Sequence, residues 1–234
     1  MMTTVIAHRG ASAYHTENTI NALKEAVYQK ADKIEVDVRF TKNKVPILFH
    51  DTNLLRLANR KTRLSKTNYS HIKSIKIRNN ERIASLEEFL EFAKNKINVI
   101  LDLKEPGNEL KIINLIKKKR MEKDVILSSK SIAVLKKIKR INSKIKVALI
   151  FRFRRKAVLA AKHVGAYSVH PHHLSMTRWL VRLAHENDLK IYPFTVNRSK
   201  RMKQLLKIGV DGLITDKPVL LRNVIRQMAQ SSKN

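Results

Sequence analysis

Ile34-Glu35-Val36-Asp37-Val38-Arg39-Phe40 and Pro46-Ile47-Leu48-Phe49-His50-Asp51 are two strand-like runs divided by Thr41-Lys42-Asn43-Lys44 and Val45. Parallel neighbours need a crossover of a dozen or more residues, whereas antiparallel ones need only a tight turn. So Pro46–His50 is predicted to fold back on Ile34–Phe40 as a hairpin. With the turn centred on Lys42-Asn43, Asp37 falls roughly opposite His50, and the hairpin delivers His50 next to Glu35 and Asp37.

Working outward, further apolar runs occur at Val5–Ala7, Val99–Leu103, Val125–Leu127, Ile145–Phe151, Tyr167–Val169, Ile191–Val196 and Gly212–Thr215. Helical patterns separate most of them: Thr19–Gln29, Ser85–Lys94, Glu109–Lys119, Ser131–Arg140, Lys156–His163, Thr177–Glu186 and Ser199–Lys207. This alternation is that of an α/β fold with a parallel sheet. Setting the hairpin partner aside leaves eight strands, and the expectation is a (β/α)8 TIM-type barrel with an extra hairpin strand at 46–50. Its first helix follows Glu17, and its second opens on a Ser85/Glu88 capping box. Residues 52–83 read as a short, irregular, basic insertion over the mouth. Gly165 and Gly209 are placed to end helices, and Trp179, with Leu180 and Leu183, to pack against the barrel. A single domain is expected over 1–226, followed by a frayed basic polar tail at 227–234.

The chain has 234 residues, 43% of them hydrophobic, enough for a substantial core. The lack of cysteine excludes disulfides, zinc–thiolate sites and thiol nucleophiles. The N-terminus has neither a basic n-region nor a long apolar stretch, so no signal peptide is expected. No apolar run approaches the roughly 18 residues of a membrane span, and a cytoplasmic location is expected. The balance of 49 Lys+Arg against 19 Asp+Glu gives a formal charge of +30. Residues 111–162 alone hold 18 Lys and Arg against Glu122 and Asp124. Such a surface attracts nucleic acid non-specifically, anionic membranes and phosphorylated metabolites, or is simply a set of solvated helix faces. No nucleic-acid-binding module is visible.

Four segments carry catalysis-grade side chains at or near strand ends: His8-Arg9-Gly10, Glu35-Val36-Asp37, His50-Asp51 and Asp102-Leu103-Lys104. Side chains two apart on a strand share a face, which pairs Glu35 with Asp37 and Asp102 with Lys104. Carboxylates on an otherwise apolar strand are costly to bury unless a cation compensates them. Glu35, Asp37 and Asp102 suit one hard divalent ion, Mg2+ or Ca2+. With Arg9 and Lys104 such an ion would neutralise a phosphate diester and its transition state. His8 and His50 are suited to proton transfer. Arg152-Phe153-Arg154-Arg155 and His170-Pro171-His172-His173 follow two further strands and read as a cationic rim that steers phosphate to the mouth. His15, His71, His163 and His185 read as surface or packing residues.

These motifs resemble the glycerophosphodiester phosphodiesterase family, within the wider group of phosphodiesterase barrels that includes phosphatidylinositol-specific phospholipases C. The resemblance extends through Ala7–Ala11, Glu17-Asn18-Thr19, Ile34–Val38, Pro46–Asp51, Ser85–Glu88, Asp102–Lys104, Thr195-Val196-Asn197 and Gly209–Pro218, and so covers nearly the whole chain. It implies a TIM-type barrel that splits a glycerophosphodiester into glycerol 3-phosphate and an alcohol, either directly or through a cyclic phosphate that water then opens. By the family pattern His8 and His50 are the acid–base pair, Glu35 and Asp37 are metal ligands with Asp102 in the third position, and Arg9 and Lys104 hold the phosphate. Three departures stand out. Asp102 stands where the family commonly has Glu, Thr16 where it has Pro, and Phe194 where it has Trp. Phe194 keeps an apolar wall without the indole donor. The Asp102-Leu103-Lys104 arrangement is also similar to sphingomyelinase D-type lipid phosphodiesterases, which keeps a lysophospholipid substrate at an anionic membrane as an alternative.

Overall fold

The strands and helices of the chain follow one another in the order that a closed parallel sheet requires. The structure, a computed structural model, describes residues 3–152 and 156–231. β1 (Thr4–His8) leads to α1 (Ile20–Tyr28), β2 (Lys33–Phe40) and the short β3 (Pro46–Leu48). An insertion follows, with α2 (Leu55–Ala58), α3 (Tyr69–Ser74) and the hairpin β4 (Lys76–Ile77) and β5 (Glu81–Arg82). Helix and strand then alternate: α4 (Leu86–Ala93), β6 (Asn98–Leu103), α5 (Glu109–Lys119), β7 (Val125–Ser129), α6 (Ile132–Ile141), β8 (Lys146–Phe151), α7 (Lys156–His163), β9 (Ser168–Pro171), α8 (Arg178–Glu186), β10 (Lys190–Ile191), α9 (Ser199–Lys207), β11 (Gly212–Thr215) and α10 (Pro218–Ser231).

Eight strands pair in parallel in the order β10-β9-β8-β7-β6-β2-β1-β11, with β3 antiparallel on β2. The ring is nearly closed. The regular β10 ladder is shorter than the predicted Ile191–Val196 run, because Pro193 has no N–H to contribute. Irregular backbone bonds take over: Val196 N–H donates to Ile214 O at 2.9 Å and Ile214 N–H to Pro193 O at 3.0 Å. The architecture is a TIM-type α/β barrel. Outward-facing residues such as Val36, Leu101, Leu127 and Val147 pack under the helices. Ile6, Ile100, Ile126, Ala148, Tyr192 and Ile214 fill the barrel interior, so the barrel is a packed core with its polar layer at one end.

Local chemistry sets the helix starts. Ser85 caps α4 in a reciprocal box with Glu88, and Thr19, Ser131 and Thr177 cap α1, α6 and α8. α6 buries Val134, Leu135 and Ile138, which leaves its lysines on the solvent face and accounts for part of the basic excess.

Several expectations are corrected in detail. Asp37 pairs opposite Phe49 rather than His50, since the ladder runs Val38↔Leu48 and Phe49 N–H donates to Asp37 O at 3.0 Å. The loop is a three-residue turn in which Thr41 bonds Val45 and Lys44 takes the left-handed conformation (φ 58°). The insertion is ordered rather than irregular. Leu54, Leu57, Leu64, Ile72, Ile75 and Ile77 bury against Ile47 and Phe49 of the hairpin and form a satellite core. Trp179 is 51% exposed, because α8 turns Leu180, Val181 and Ala184 inward. Helix α10 runs through Ser231, past the point at Gln227 where fraying was expected.

Candidate active site

Strand register assembles the polar layer. β1 on β2 sets His8 beside Glu35, and β2 on β6 sets Asp37 beside Asp102. The ligand oxygens of the three carboxylates lie within 4.8 Å of one another, and all three residues are buried. The His8-Arg9-Gly10 segment turns sharply at this point, with φ of 55° at Arg9 and 85° at Gly10. A Cβ on Gly10 would meet the Ala22 backbone at 2.7 Å, so only glycine lets α1 approach this closely.

The turn sends Arg9 back over the site. Its Nε is 2.9 Å from Asp37 Oδ2 and its Nη1 is 2.7 Å from Glu17 Oε1. Asn18 clamps Asp37 from the other side: its Nδ2 donates to Asp37 Oδ2 at 2.9 Å, and its Oδ1 accepts the Asp37 N–H at 3.1 Å. Lys104 Nζ is 2.6 Å from Asp37 Oδ1 and also pairs with Asp102. Burial opposes ionisation of Asp37, but Lys104 and Arg9 outweigh it and hold its carboxyl well below the usual range. Glu35 goes the other way: burial and the Asp37 charge push it up to about 7. Burial also raises Asp102, against the pull of Lys104.

Each histidine is anchored through Nδ1 by a carboxylate. His8 Nδ1 is 2.7 Å from Asp216 Oδ1, and His50 Nδ1 is 2.7 Å from Asp51 Oδ1. Both residues line the cup, and with Nδ1 held at the anchor each ring carries Nε2 on its opposite edge. Burial works against the charged form of His8, yet the Asp216 hydrogen bond and the Glu35 charge leave its pKa raised. Burial lowers that of His50, with Asp51 opposing. Asp216 is itself fixed by Ser12 Oγ at 2.9 Å and by Asn197.

The cup has a volume of about 80 Å³. Its three buried carboxylates are the donor set of a hard divalent cation. Burial and like charge raise Glu35 to about 7, a crowding that a bound cation would offset. The residues present therefore fit such an ion. His170 also lines the cup. It is buried in the barrel wall rather than placed on a cationic rim, hydrogen-bonded to Ser168 Oγ at 3.1 Å, and burial pushes it down to about 3. Arg152 and Phe194 line a larger adjoining cavity. Arg154 lies outside the described residues.

Sequence reasoning quoted Glu17, Asn18, Asn197 and Asp216 within motifs but gave them no role. It passed over Arg56 and Lys130. Arg56 bonds both Asp51 (2.6 Å) and Glu17 (2.7 Å), linking the His50 anchor to the Arg9 anchor. The Asp-Lys-Pro after the last strand was the signal available for Asp216. An arginine in a basic insertion offered none.

A model of the glycerophosphoryl diester phosphodiesterase family matches residues 8–220. The chain belongs to that family. As a glycerophosphoryl diester phosphodiesterase family member it is 34% identical, over 97% of its length and 99% of the relative's, to a glycerophosphodiester phosphodiesterase of Caldanaerobacter subterraneus subsp. tengcongensis. In fold it is similar to an Oleispira antarctica phosphodiesterase solved with the product sn-glycerol-3-phosphate (TM-score 0.87, 23% identity, 96% and 97% of the two chains). It is also similar to a glycerophosphodiester phosphodiesterase from Parabacteroides distasonis (TM-score 0.85, 22% identity, 97% and 98%). None of these relatives favours the sphingomyelinase D-type alternative for this family member.

Proposed function

We propose that the chain hydrolyses small glycerophosphodiesters to glycerol 3-phosphate and an alcohol, with His8 and His50 moving the protons. The observation that carries this reading is the convergence of three carboxylates and two carboxylate-anchored imidazoles in one cup of a barrel of this family. The product held by the Oleispira antarctica relative supports the same substrate class.

Glu35, Asp37 and Asp102 would hold one Mg2+ or Ca2+, which when bound supplies a Lewis acid for a phosphate oxygen. The chain's own groups do the rest. Arg9 and Lys104 add positive charge beside the cup, where negative charge develops on the phosphate. Asp216 and Asp51 fix the tautomer and direction of the two rings. One Nε2 takes the proton of the attacking oxygen as the new P–O bond forms. The other gives a proton to the alcohol oxygen as its P–O bond breaks. When the attacking group is the neighbouring glycerol hydroxyl, the first product is a cyclic phosphate, and water opens it with the two roles exchanged.

The test is a panel of glycerophosphodiesters assayed with Mg2+, Ca2+ or chelator, with products identified. Glycerol 3-phosphate should form with metal and stop with chelator. His50→Ala should keep its calorimetric metal affinity and lose at least about 10²-fold in turnover. Failure to hydrolyse any glycerophosphodiester with either ion overturns the reading. Undiminished turnover by His50→Ala removes the proton-transfer role.

A further inference from the structure

The cup is far smaller than the cavity beside it. Its volume is about 80 Å³. With the reacting phosphate at the carboxylates and imidazoles of the cup, the outer substituent of a diester is directed to the space that adjoins it. The adjoining groove has a volume of about 940 Å³. Lys130, Ile150 and Phe194 line both spaces, so the two adjoin.

The charge of this groove is one-sided. Lys130 follows β7 directly, Arg152 follows β8 directly, and Lys156 opens α7. All three line the groove, and among the described residues no Asp or Glu does. Below them Leu149, Ile150 and Phe151 are buried and give the groove a low-dielectric floor, which strengthens interactions with the charges above it. A cationic substituent placed here meets three like charges and, among the described lining residues, no carboxylate. An anionic one meets the reverse.

On the proposed activity, we infer that this groove selects glycerophosphodiesters whose outer alcohol bears a further phosphate, and that it disfavours diesters with a quaternary or primary ammonium. The selection is electrostatic and acts on the group outside the cup, so it changes which diester is used and not the bond that is cleaved. The second phosphate is either a terminal monoester or the next phosphodiester of a glycerophosphate oligomer, since both present the same anionic oxygens to Lys130, Arg152 and Lys156.

The experiment compares kcat/KM for four substrates: glycerophosphoglycerol, the same compound with a terminal phosphate, a glycerophosphate trimer and glycerophosphocholine. At low salt the two phosphate-bearing substrates should exceed glycerophosphoglycerol by roughly tenfold, and glycerophosphocholine should fall below it. The preference should shrink as salt screens the groove. Lys156 lines the groove and not the cup. Lys156→Glu should therefore reduce the preference severalfold. A trimer used better than the monoester identifies the internal phosphodiester as the recognised group, and the converse identifies the monoester. Equal kcat/KM for neutral and phosphate-bearing substrates overturns the inference while the activity stands. So does faster turnover of glycerophosphocholine or of a lysophospholipid. If no glycerophosphodiester is hydrolysed, it is the underlying activity that fails.

Discussion

Glu35 and Asp37 stand two residues apart on one strand face, both buried, with opposite electrostatic outcomes. Asp37 has Lys104, Arg9 and Asn18 on its oxygens, whereas Glu35 accepts the Arg9 backbone N–H at 3.1 Å and stands beside the Asp37 charge. Truncating either should abolish tight Mg2+ or Ca2+ binding, but only Asp37→Ala removes a carboxylate shared by two cations, leaving Arg9 with Glu17 and Lys104 with Asp102. It should cost about 1.5–3 kcal/mol of stability, and Glu35→Ala less. Calorimetry paired with urea unfolding separates the two effects, and equal destabilisation by both would contradict this account. Asp216 acts through His8 at 2.7 Å. Asp216→Asn should keep the metal and lower kcat by about 10²-fold or more, through loss of the ring's tautomer and direction. Unchanged kcat would show that the anchor is dispensable.

At the level of elements, the weakest seam of the barrel is the one between β10 and β11, and Asp211 bridges it. Its carboxylate accepts the Ile191 N–H at 2.9 Å, Lys190 Nζ at 2.9 Å and His185 Nε2 at 3.0 Å. Burial opposes the charge, but these partners hold the Asp211 pKa below the usual range. A carboxyl whose folded pKa is depressed contributes stability above its unfolded pKa, near 3.9, and loses it as pH falls through the folded value. Asp211→Asn should therefore lower stability by about 1.5–3 kcal/mol at neutral pH. Its deficit against the parent should narrow as pH drops below about 4. Denaturant titrations at pH 7 and pH 3 measure both, and a deficit that grows toward acid would refute the assignment. The insertion matters at the same scale. Its satellite core of Leu54, Leu57 and Ile72 holds α2 in place, and α2 carries Arg56 to Asp51 and Glu17.

Over the whole molecule the formal charge of +30 creates a field that reaches beyond any single contact. Long-range attraction of this kind is screened within about 10 Å at 0.1 M salt. Retention on immobilised double-stranded DNA should be independent of base sequence and fall steeply between about 0.05 M and 0.2 M salt. Glu35→Ala and His50→Ala should be retained like the parent, because neither contributes to the outer basic surface. Retention that survives high salt, or that the His50 substitution abolishes, would point instead to a built nucleic-acid site. Among the described residues no helix is long and apolar enough to cross a membrane.

The sequence by itself determined whatever depends on neighbours along the chain. The spacing between Phe40 and Pro46 dictates an antiparallel hairpin, the Ser85/Glu88 pair starts a helix, and the two-residue spacing of Glu35 and Asp37 puts both on one face. These are short-range constraints of turn length, capping and strand alternation, so they can be read without a fold. Only the tertiary structure decided which distant groups meet. His8 finds Asp216 across 208 residues, Arg56 reaches Glu17 across 39, and Lys104 settles on Asp37 of the neighbouring strand. Trp179 was misplaced and Phe49 rather than His50 took the position opposite Asp37, because helix rotation and strand register are set by packing once the ring closes. Those partners are chosen through space, by the order and register of eight strands, and no local pattern encodes them.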